Sequence, residues 1–120
     1  MVETQEHVSP DRQLTLLVER YSDGDISIGF RGFQWHTHAD ILASTMSIPV
    51  VEAVRIFIGD ILEDRSVIAI VYIDGAVHDV WITDDAQKEL QYQQPNEEIR
   101  FRYWSGENVS ICLDGSGRSL

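Results

Sequence analysis

The stretch FQWHTHAD, residues 33–40, holds the residue types that are best suited to chemistry in this chain. His36 and His38 stand one residue apart, and Asp40 follows two residues after the second histidine. On an extended segment this spacing projects both imidazoles to one side, and imidazole with carboxylate suits zinc or a non-haem metal. A metal-dependent enzyme that uses His36, His38 and Asp40 is therefore one hypothesis for function.

The H-x-H-x-D spacing resembles the metal motifs of metallo-β-lactamase-type and amidohydrolase-type hydrolases. Those enzymes have much longer chains and supply further His and Asp ligands from distant segments. Here only His7 and His78 remain, and Ile41 stands where the motif usually has its next histidine. The resemblance is confined to this short stretch, and we predict no metal and no cofactor.

A helix start accounts for more of the same residues than a metal site does. Thr37 and Asp40 match the capping box, in which a Ser or Thr and an acidic residue three positions later each accept a hydrogen bond from a free backbone N–H. We therefore expect a helix to begin after Thr37, so that His36 and His38 face different ways. Contact of one histidine with a ligand or a partner is a third interpretation.

The sequence contains no other catalytic signature. There is no G-x-S-x-G, no Gly-rich phosphate loop and no C-x-x-C, and these are the motifs that would announce a nucleophile or a phosphate site. The one cysteine, Cys112, cannot form an internal disulfide, and we expect it to be a small core residue on a strand. We predict that the chain is not an enzyme.

The charge balance limits the partners that the chain can bind. Twenty acidic residues stand against nine basic ones, for a net charge of −11. Such a surface repels nucleic-acid phosphates and anionic lipids, and it speeds encounter with basic proteins. We expect a basic protein partner, no nucleic acid and no membrane, although many domains are acidic only for solubility.

Two further features favour a cytoplasmic location. The longest apolar run, Val67–Ile73, is much shorter than the roughly 20 residues of a membrane-spanning helix. The N-terminus has neither a basic start nor an apolar signal core.

The length of the chain predicts one domain, with residues 13–113 forming it. Residues 1–12 are polar and without periodicity, so we expect a mobile N-terminal segment, and residues 114–120 are expected to be a flexible tail. Apolar positions alternate on either side of the turn at 22–25, which predicts a hairpin. The alternation changes parity after Phe30, so a bulge is expected near Arg31 and Gly32.

The apolar stripe over residues 47–64 predicts the one principal helix, with Ser47 as its cap and Pro49 in its first turn. Val67–Ile73 is apolar on both faces, which indicates a central strand. A partner strand, a short helix at 84–92 capped by Asp84, and a last hairpin at 99–104 and 109–113 follow. The prediction is an α+β fold of about six mostly antiparallel strands in the order ββαββββ, with the helix on one face.

Most of the excess negative charge lies between residues 60 and 98, where ten acidic residues accompany two basic ones. Carboxylates at the C-terminal turn of a helix oppose its dipole, and a locally unfavourable choice can mark a functional surface. We therefore predict that a basic partner contacts this region through Asp60, Glu63, Asp64, Asp74, Asp79, Trp81, Asp84 and Asp85.

A second candidate surface is the strand IRFRYW, in which Arg100, Arg102 and Trp104 share one face. Arg, Trp and Tyr often anchor protein interfaces. The alternative is that the arginines pair with Asp79 or Glu19 across strands while the tryptophans close a small second core. A small-molecule pocket walled by Trp35, Tyr72 and Trp104, in a binding or accessory domain, is the second functional hypothesis.

In size, in charge and in the run DILEDRSVIAIVYIDGAVHDVWITDD, residues 60–85, the chain resembles the immunity proteins of bacterial polymorphic toxins, such as those of contact-dependent inhibition. That resemblance implies a specific partner, usually a basic toxin domain that is often a nuclease. It also implies that carboxylates and aromatic side chains block the active site of the toxin.

Overall fold

The computed structural model describes residues 2–109. These residues form an α+β fold of eight strands and three helices, and their bounds are β1 Val2–Val8, β2 Thr15–Tyr21, β3 Ile26–Phe30, β4 His36–His38, α1 Ala39–Met46, α2 Val50–Leu62, β5 Val67–Ile73, β6 Ala76–Thr83, α3 Ala86–Gln91, β7 Glu97–Arg102 and β8 Asn108–Val109. The α+β class is confirmed, but the single sheet of about six strands is wrong. The strands form two antiparallel sheets of four.

The two sheets differ in how their strands are connected. The N-terminal sheet has the order β1-β2-β3-β4, in which sequence neighbours are also spatial neighbours. The C-terminal sheet has the order β6-β5-β7-β8, so β7 crosses over to pair with β5. Its strand β5 lies between two partners, which confirms the prediction of a central strand.

The hairpin of β2 and β3 follows the predicted alternation. Leu16, Val18 and Ile28 are fully buried, while the residues between them face the other side of the sheet. Gly24 has φ 93°, which the turn requires and which other residues rarely adopt. Apolar alternation with a period of two is thus enough to place this hairpin.

The expected bulge near Arg31 and Gly32 is absent, and the chain reverses direction there. Strand β3 ends at Phe30, the chain turns through Gly32 at φ 88°, and β4 runs back antiparallel to β3. The change of parity in the sequence therefore marks a turn between two strands rather than one bulged strand. Thr37 lies opposite Ile28 on the helix side, and the two histidines of β4 take the outer side.

The N-terminal segment is also ordered differently from the expectation of a mobile lead-in at residues 1–12. Val2–Val8 is strand β1, and it pairs with β2 over its full length. Its side chains show no period of two because both faces of this edge strand are largely exposed. Polarity without periodicity is therefore compatible with an edge strand.

The helix predicted over residues 47–64 is α2, Val50–Leu62, and α1, Ala39–Met46, precedes it with a bend of 93° between them, so two helices stand where one principal helix was predicted. Ser47 ends α1 in the left-handed conformation at φ 57°, and its backbone N–H donates to the carbonyl of Ala43. Pro49 is then the N-cap of α2. Within residues 2–109 no single helix is long and apolar enough to cross a membrane, whereas α1 and α2 taken together reach that length and composition across their bend.

Helices α1 and α2 and both sheets share one main core. Side chains from α2, from the C-terminal sheet and from the loop after β7 pack with the inner face of the N-terminal sheet, including Ala53, Ile61, Ile68, Val80 and Trp104. The core therefore holds the two sheets and the two helices together as one body.

The second half of the chain departs from the prediction in its helix cap and confirms part of its last hairpin. Asp85, and not Asp84, is the N-cap of α3, since its carboxylate accepts a hydrogen bond from the Lys88 N–H at 3.1 Å. Strands β7 and β8 form the beginning of the expected last hairpin. The remainder of that hairpin, with Cys112, and the tail 114–120 lie outside the described residues.

Candidate functional site

A broad concave surface lies on the outer face of the N-terminal sheet, on the side away from the helices. We call it the outer cleft; it has a volume of about 520 Å³ and is open to solvent. Strands β2 and β3 form its floor, β4 with the preceding loop forms one wall, and the turn at 22–25 forms the other. The stretch FQWHTHAD thus lines part of a cleft, whereas its spacing had suggested a metal site or a helix start.

The two histidines come together in this cleft. His36 lies opposite Gly29 and His38 opposite Ser27, so both imidazoles project from the outer face of the sheet. Their ring centroids are 4.9 Å apart in an edge-to-face arrangement. The expectation that they face different ways is therefore wrong, because the segment is extended where a helix start was predicted.

The acidic partner of the pair is Asp25, and not Asp40. The His38 Nδ1 lies 3.1 Å from the Asp25 Oδ2, while the His36 Nδ1 lies 3.0 Å from the carbonyl of Gln34. Asp40 is exposed, and its carboxylate accepts a hydrogen bond from the N–H of the next residue. The predicted capping box therefore does not form, and Asp40 does not group with the histidines. His38 contacts Asp25 instead.

Helix α1 begins directly after the histidines, with His38 itself as its N-cap residue and no side-chain hydrogen bond to the cap. The predicted cap at Thr37 is therefore wrong by one residue, and its hydroxyl does not cap the helix. Within residues 2–109, no group of three or more His, Cys, Asp or Glu side chains is arranged to hold a metal ion.

Gly29 allows β4 to lie close to the floor of the cleft. A Cβ atom at this position would be 2.7 Å from the carbonyl oxygen of Trp35 and 3.1 Å from the Cβ of His36. The first contact is with backbone, which cannot move without displacing the strand. The absence of a side chain at Gly29 therefore sets where the histidine wall stands.

The aromatic part of the wall is held from behind by the C-terminal sheet. Trp35 packs against Phe30 with ring centroids 6.3 Å apart, and its backbone N–H donates to the Asp79 Oδ1 at 3.4 Å. The same oxygen accepts from the Val80 N–H at 2.8 Å. Asp79, which was predicted to contact a partner, therefore connects the cleft wall to β6.

The facing wall is acidic. Asp23 and Asp25 line it, Glu19 on the floor strand β2 adds a third carboxylate, and the cleft lining contains no Lys or Arg. The Tyr21 hydroxyl donates a long hydrogen bond of 3.5 Å to the Glu19 carboxylate. Partial desolvation together with that carboxylate raises the pKa of the Tyr21 phenol above its usual value. The cleft thus presents negative charge next to aromatic side chains.

The acidic residues predicted at the end of α2 have partners within the chain. Arg65 forms ion pairs with Asp60 at 2.8 Å and with Glu63 at 3.2 Å, and these carboxylates raise its pKa. Asp64 has φ 61°, and its carboxylate accepts a hydrogen bond from the Ser105 N–H at 3.0 Å. One arginine and one loop contact therefore offset much of the unfavourable charge at this helix end.

The eight predicted residues do not form one continuous surface. Thr83 pairs with Val67 at one end of the β5–β6 hairpin, so Asp84 and Asp85 lie near the end of α2. Asp74 is in the turn at the opposite end, about 20 Å away for strands of this length. Trp81 is half-buried opposite Ala69, on the face of the C-terminal sheet that turns away from the main core.

The arginine and tryptophan face of β7 is also divided. Arg102 is buried, and it forms an ion pair with Asp11 at 2.8 Å, which lowers the pKa of that carboxyl to about 2. Arg100 is exposed; it pairs with Glu98 and lies over the ring of Tyr72. Trp104 belongs to the main core.

The predicted pocket of three aromatic residues does not form, because its members lie in different places. Trp35 lines the outer cleft, Tyr72 lines a separate cavity of about 240 Å³, and Trp104 is buried. The arginines of β7 pair within the chain, as the structural alternative expected, but with other acids.

Sequence reasoning missed the acidic wall of the outer cleft. The alternation of the strand placed Glu19 and Tyr21 on its polar side, but it predicted no site there. The residues SDGD were interpreted as a turn and not as part of a binding surface. The cleft could have been predicted if the segment with H-x-H had been interpreted as a third strand that pairs with this hairpin.

Comparison with protein-family models, with curated proteins and with solved structures finds no match for this chain. The functional argument therefore rests on the geometry and the charge of the outer cleft.

Proposed function

We propose that this protein is an acidic protein-binding module that takes cationic side chains of a basic partner into the outer cleft. The observation that supports this most directly is the lining of the cleft, where Glu19, Asp23 and Asp25 lie beside aromatic side chains without any Lys or Arg. A guanidinium group pairs with carboxylates and stacks on aromatic faces, so an arginine of the partner suits such a cleft best.

The finer proposal is that the partner is a basic toxin domain, often a nuclease in such systems, and that the protein is its immunity protein. A net charge of −11 would accelerate encounter with such a domain, and burial of a few anchoring side chains would slow dissociation. Capture of cationic side chains at the toxin's active site by the outer cleft would block that site and neutralise the toxin.

The end of α2 is the competing site for the same function. Its carboxylates are engaged by Arg65, so a partner would have to compete with an existing ion pair. The acids of the outer cleft have no arginine or lysine among the residues that line it. Charge already neutralised within the chain attracts a partner less, which favours the cleft.

If a basic toxin domain is encoded beside the gene for this chain, calorimetric titration with that domain tests the proposal. The double variant Glu19→Gln/Asp25→Asn should weaken binding about tenfold or more, because charged hydrogen bonds at an interface are lost. The control Glu63→Gln/Asp84→Asn removes the same charge far from the cleft and should change affinity less. Equal weakening by both variants, or no binding by the unmodified chain, would overturn the proposal.

A second candidate function is small-molecule binding in the cavity of about 240 Å³ that Tyr72, Arg100 and Arg102 help to line. It is favoured because two arginines lie there beside apolar side chains of the C-terminal sheet and of loops in the N-terminal half; a small anionic ligand would have to compete with Glu98 and Asp11 for those arginines. Thermal-shift measurements with a set of carboxylate and phosphate metabolites would detect such a ligand as a rise in melting temperature.

A further inference from the structure

Strand β1 is an edge strand whose second side is open. Its seven residues pair with β2 on one side, and within the described part of the chain no strand pairs with the other side. Val2 is 45% and Val8 57% exposed at its two ends. An edge of this length presents unpaired backbone groups, which proteins usually cover or interrupt.

Backbone hydrogen bonds identify which groups point to the open edge. The Ser9 N–H donates to the carbonyl of Leu14 at 2.9 Å, and this pair continues the register of β1 with β2. On the other side of β2, the Arg31 N–H donates to the carbonyl of Thr15 at 2.9 Å, so the odd-numbered residues of β2 bond to β3.

Hydrogen-bonded pairs alternate along an antiparallel ladder. The odd-numbered residues of β1, from Glu3 to His7, therefore exchange bonds with the even-numbered residues of β2. The N–H and C=O groups of the even-numbered residues of β1 point to the open edge: these are Val2, Thr4, Glu6 and Val8.

The sequence of β1, VETQEHV, is complementary to itself when two copies run antiparallel. We propose that a second copy of this chain pairs with β1 in the antiparallel sense, with Gln5 opposite Gln5 of the second copy. Val2 then lies opposite Val8, Glu3 opposite His7 and Thr4 opposite Glu6. The imidazole N–H of His7 can donate to the Glu3 carboxylate, and the two valines cover one another.

This register also matches the backbone. Even-numbered residues meet even-numbered residues, so each outward N–H of one copy finds a carbonyl of the other. A shift by one residue would set outward groups against inward ones and lose the ladder. A shift by two shortens the ladder, and in one direction it places Glu6 opposite Glu6 of the second copy, where like charges repel.

The surface of β1 that faces α2 also favours pairing with a second copy of the chain. An open groove of about 360 Å³ lies between β1 and α2, and its lining includes Gln5, His7, Ile58 and Val51, the last of which is 78% exposed. A two-fold axis perpendicular to the sheet places both copies of α2 on the same side of the joined sheet. The two grooves then face one another, and apolar surface is removed from water.

The charge of the chain gives this dimer a distinctive response to salt. Each copy carries a net charge of −11, so the two copies repel each other, and added salt screens this repulsion. The dimer should therefore become stronger with salt, whereas binding of a basic partner should become weaker.

Sedimentation equilibrium of the full chain, at concentrations up to about 1 mM and at about 0.05 M and 0.5 M NaCl, tests the proposal. The expected result is a monomer–dimer equilibrium that shifts toward the dimer at high salt. In Thr4→Pro the outward N–H is lost while the bonds of β1 with β2 remain, so the dimer should weaken about tenfold or more. The control Thr4→Ala keeps the N–H and should dimerise nearly as the original chain does.

The register is tested by exchange of charge. The variant His7→Glu places a new carboxylate of one copy opposite the Glu3 carboxylate of the other and should weaken the dimer. The added change Glu3→Lys should restore it. Circular dichroism melting of each variant checks that the fold is retained. A chain that stays monomeric at high salt, or a dimer as strong in Thr4→Pro as in Thr4→Ala, would overturn the proposal.

Discussion

The position of the histidine wall of the outer cleft depends on the absence of a side chain at Gly29. A methyl group there would be 2.7 Å from the Trp35 carbonyl, so Gly29→Ala must displace β4 or the loop before it. We expect a lower melting temperature and weaker partner binding, because overpacking costs typically ~1–3 kcal/mol. Thermal unfolding followed by circular dichroism measures the first effect and calorimetry the second.

Gly59→Ala is the matched control for this change. A Cβ at Gly59 meets only the ends of the Glu63 and Arg65 side chains, at 3.6 Å and 3.8 Å. Alanine in the interior of a helix is favoured over glycine by roughly 0.5–1 kcal/mol, so this variant should be more stable than the original chain. Equal destabilisation by the two substitutions would contradict the role assigned to Gly29.

The ion pair of Asp11 with Arg102 predicts a particular dependence of stability on pH. The folded-state pKa of Asp11, about 2, lies below its ordinary value of 3.8. The pair therefore contributes stability above about pH 4 that is lost as pH falls toward 2. Asp11→Asn should cost roughly 1–2 kcal/mol near neutral pH, after allowance for solvent screening, and much less at about pH 2. Urea unfolding at both values measures this, and a difference that does not depend on pH would contradict it.

At the scale of residues, local spacing identified the histidines but not their partner. H-x-H indicated correctly that both rings could project to one side, yet the nearest acid in sequence, Asp40, is not the acid in space. Asp25 reaches His38 because the turn after β3 brings β4 back alongside β3 and sets His38 opposite Ser27, two residues after Asp25. Such a contact depends on strand pairing, which spacing within one segment does not encode.

At the scale of elements, alternation of apolar residues predicted the strands that have one buried face, and it failed for β1, which has none. The apolar stripe of residues 47–64 predicted α2, but it did not show that Ser47 ends α1 instead of capping α2. Ser47 has a left-handed conformation that nothing in its residue type requires. Helix boundaries of this kind are set by tertiary packing more than by propensity.

Ser47→Gly tests that description of the helix junction. Glycine adopts φ near 57° without the steric cost that serine bears, so the variant should gain roughly 1 kcal/mol in the free energy of unfolding. Ser44→Gly, which lies inside α1, should lose a similar amount. Urea titration measures both changes, and loss of stability in Ser47→Gly would show that the junction is not built as described.

At the scale of the whole molecule, the sequence predicted the α+β class and the antiparallel pairing, while the division into two sheets was not predictable from it. Short turns fix which strands form hairpins, but the approach of β7 to β5 across α3 is decided by packing of the shared core. Because packing and strand pairing decide which residues meet, the acidic residues predicted to form one partner-binding surface lie in separate places. Closeness in sequence between 60 and 85 did not place Asp74 beside Asp84.

The molecule as a whole is acidic, but its two proposed contact surfaces use that charge in opposite ways. The outer cleft would draw in a basic partner, and β1 would join two copies against mutual repulsion. Binding at the two surfaces can therefore be separated by salt concentration alone.

Chemical-shift mapping by NMR of the isotope-labelled chain with a hexa-arginine peptide at low salt is the most direct test of partner binding in the outer cleft. We expect the largest shifts to cluster at the Trp35 indole and at the amides of Glu19, Asp25, His36 and His38. We also expect weaker binding of hexa-lysine, which lacks the planar guanidinium. Shifts centred on Glu63 and Asp84, or spread evenly over all acidic residues, would contradict the assignment of partner binding to the outer cleft.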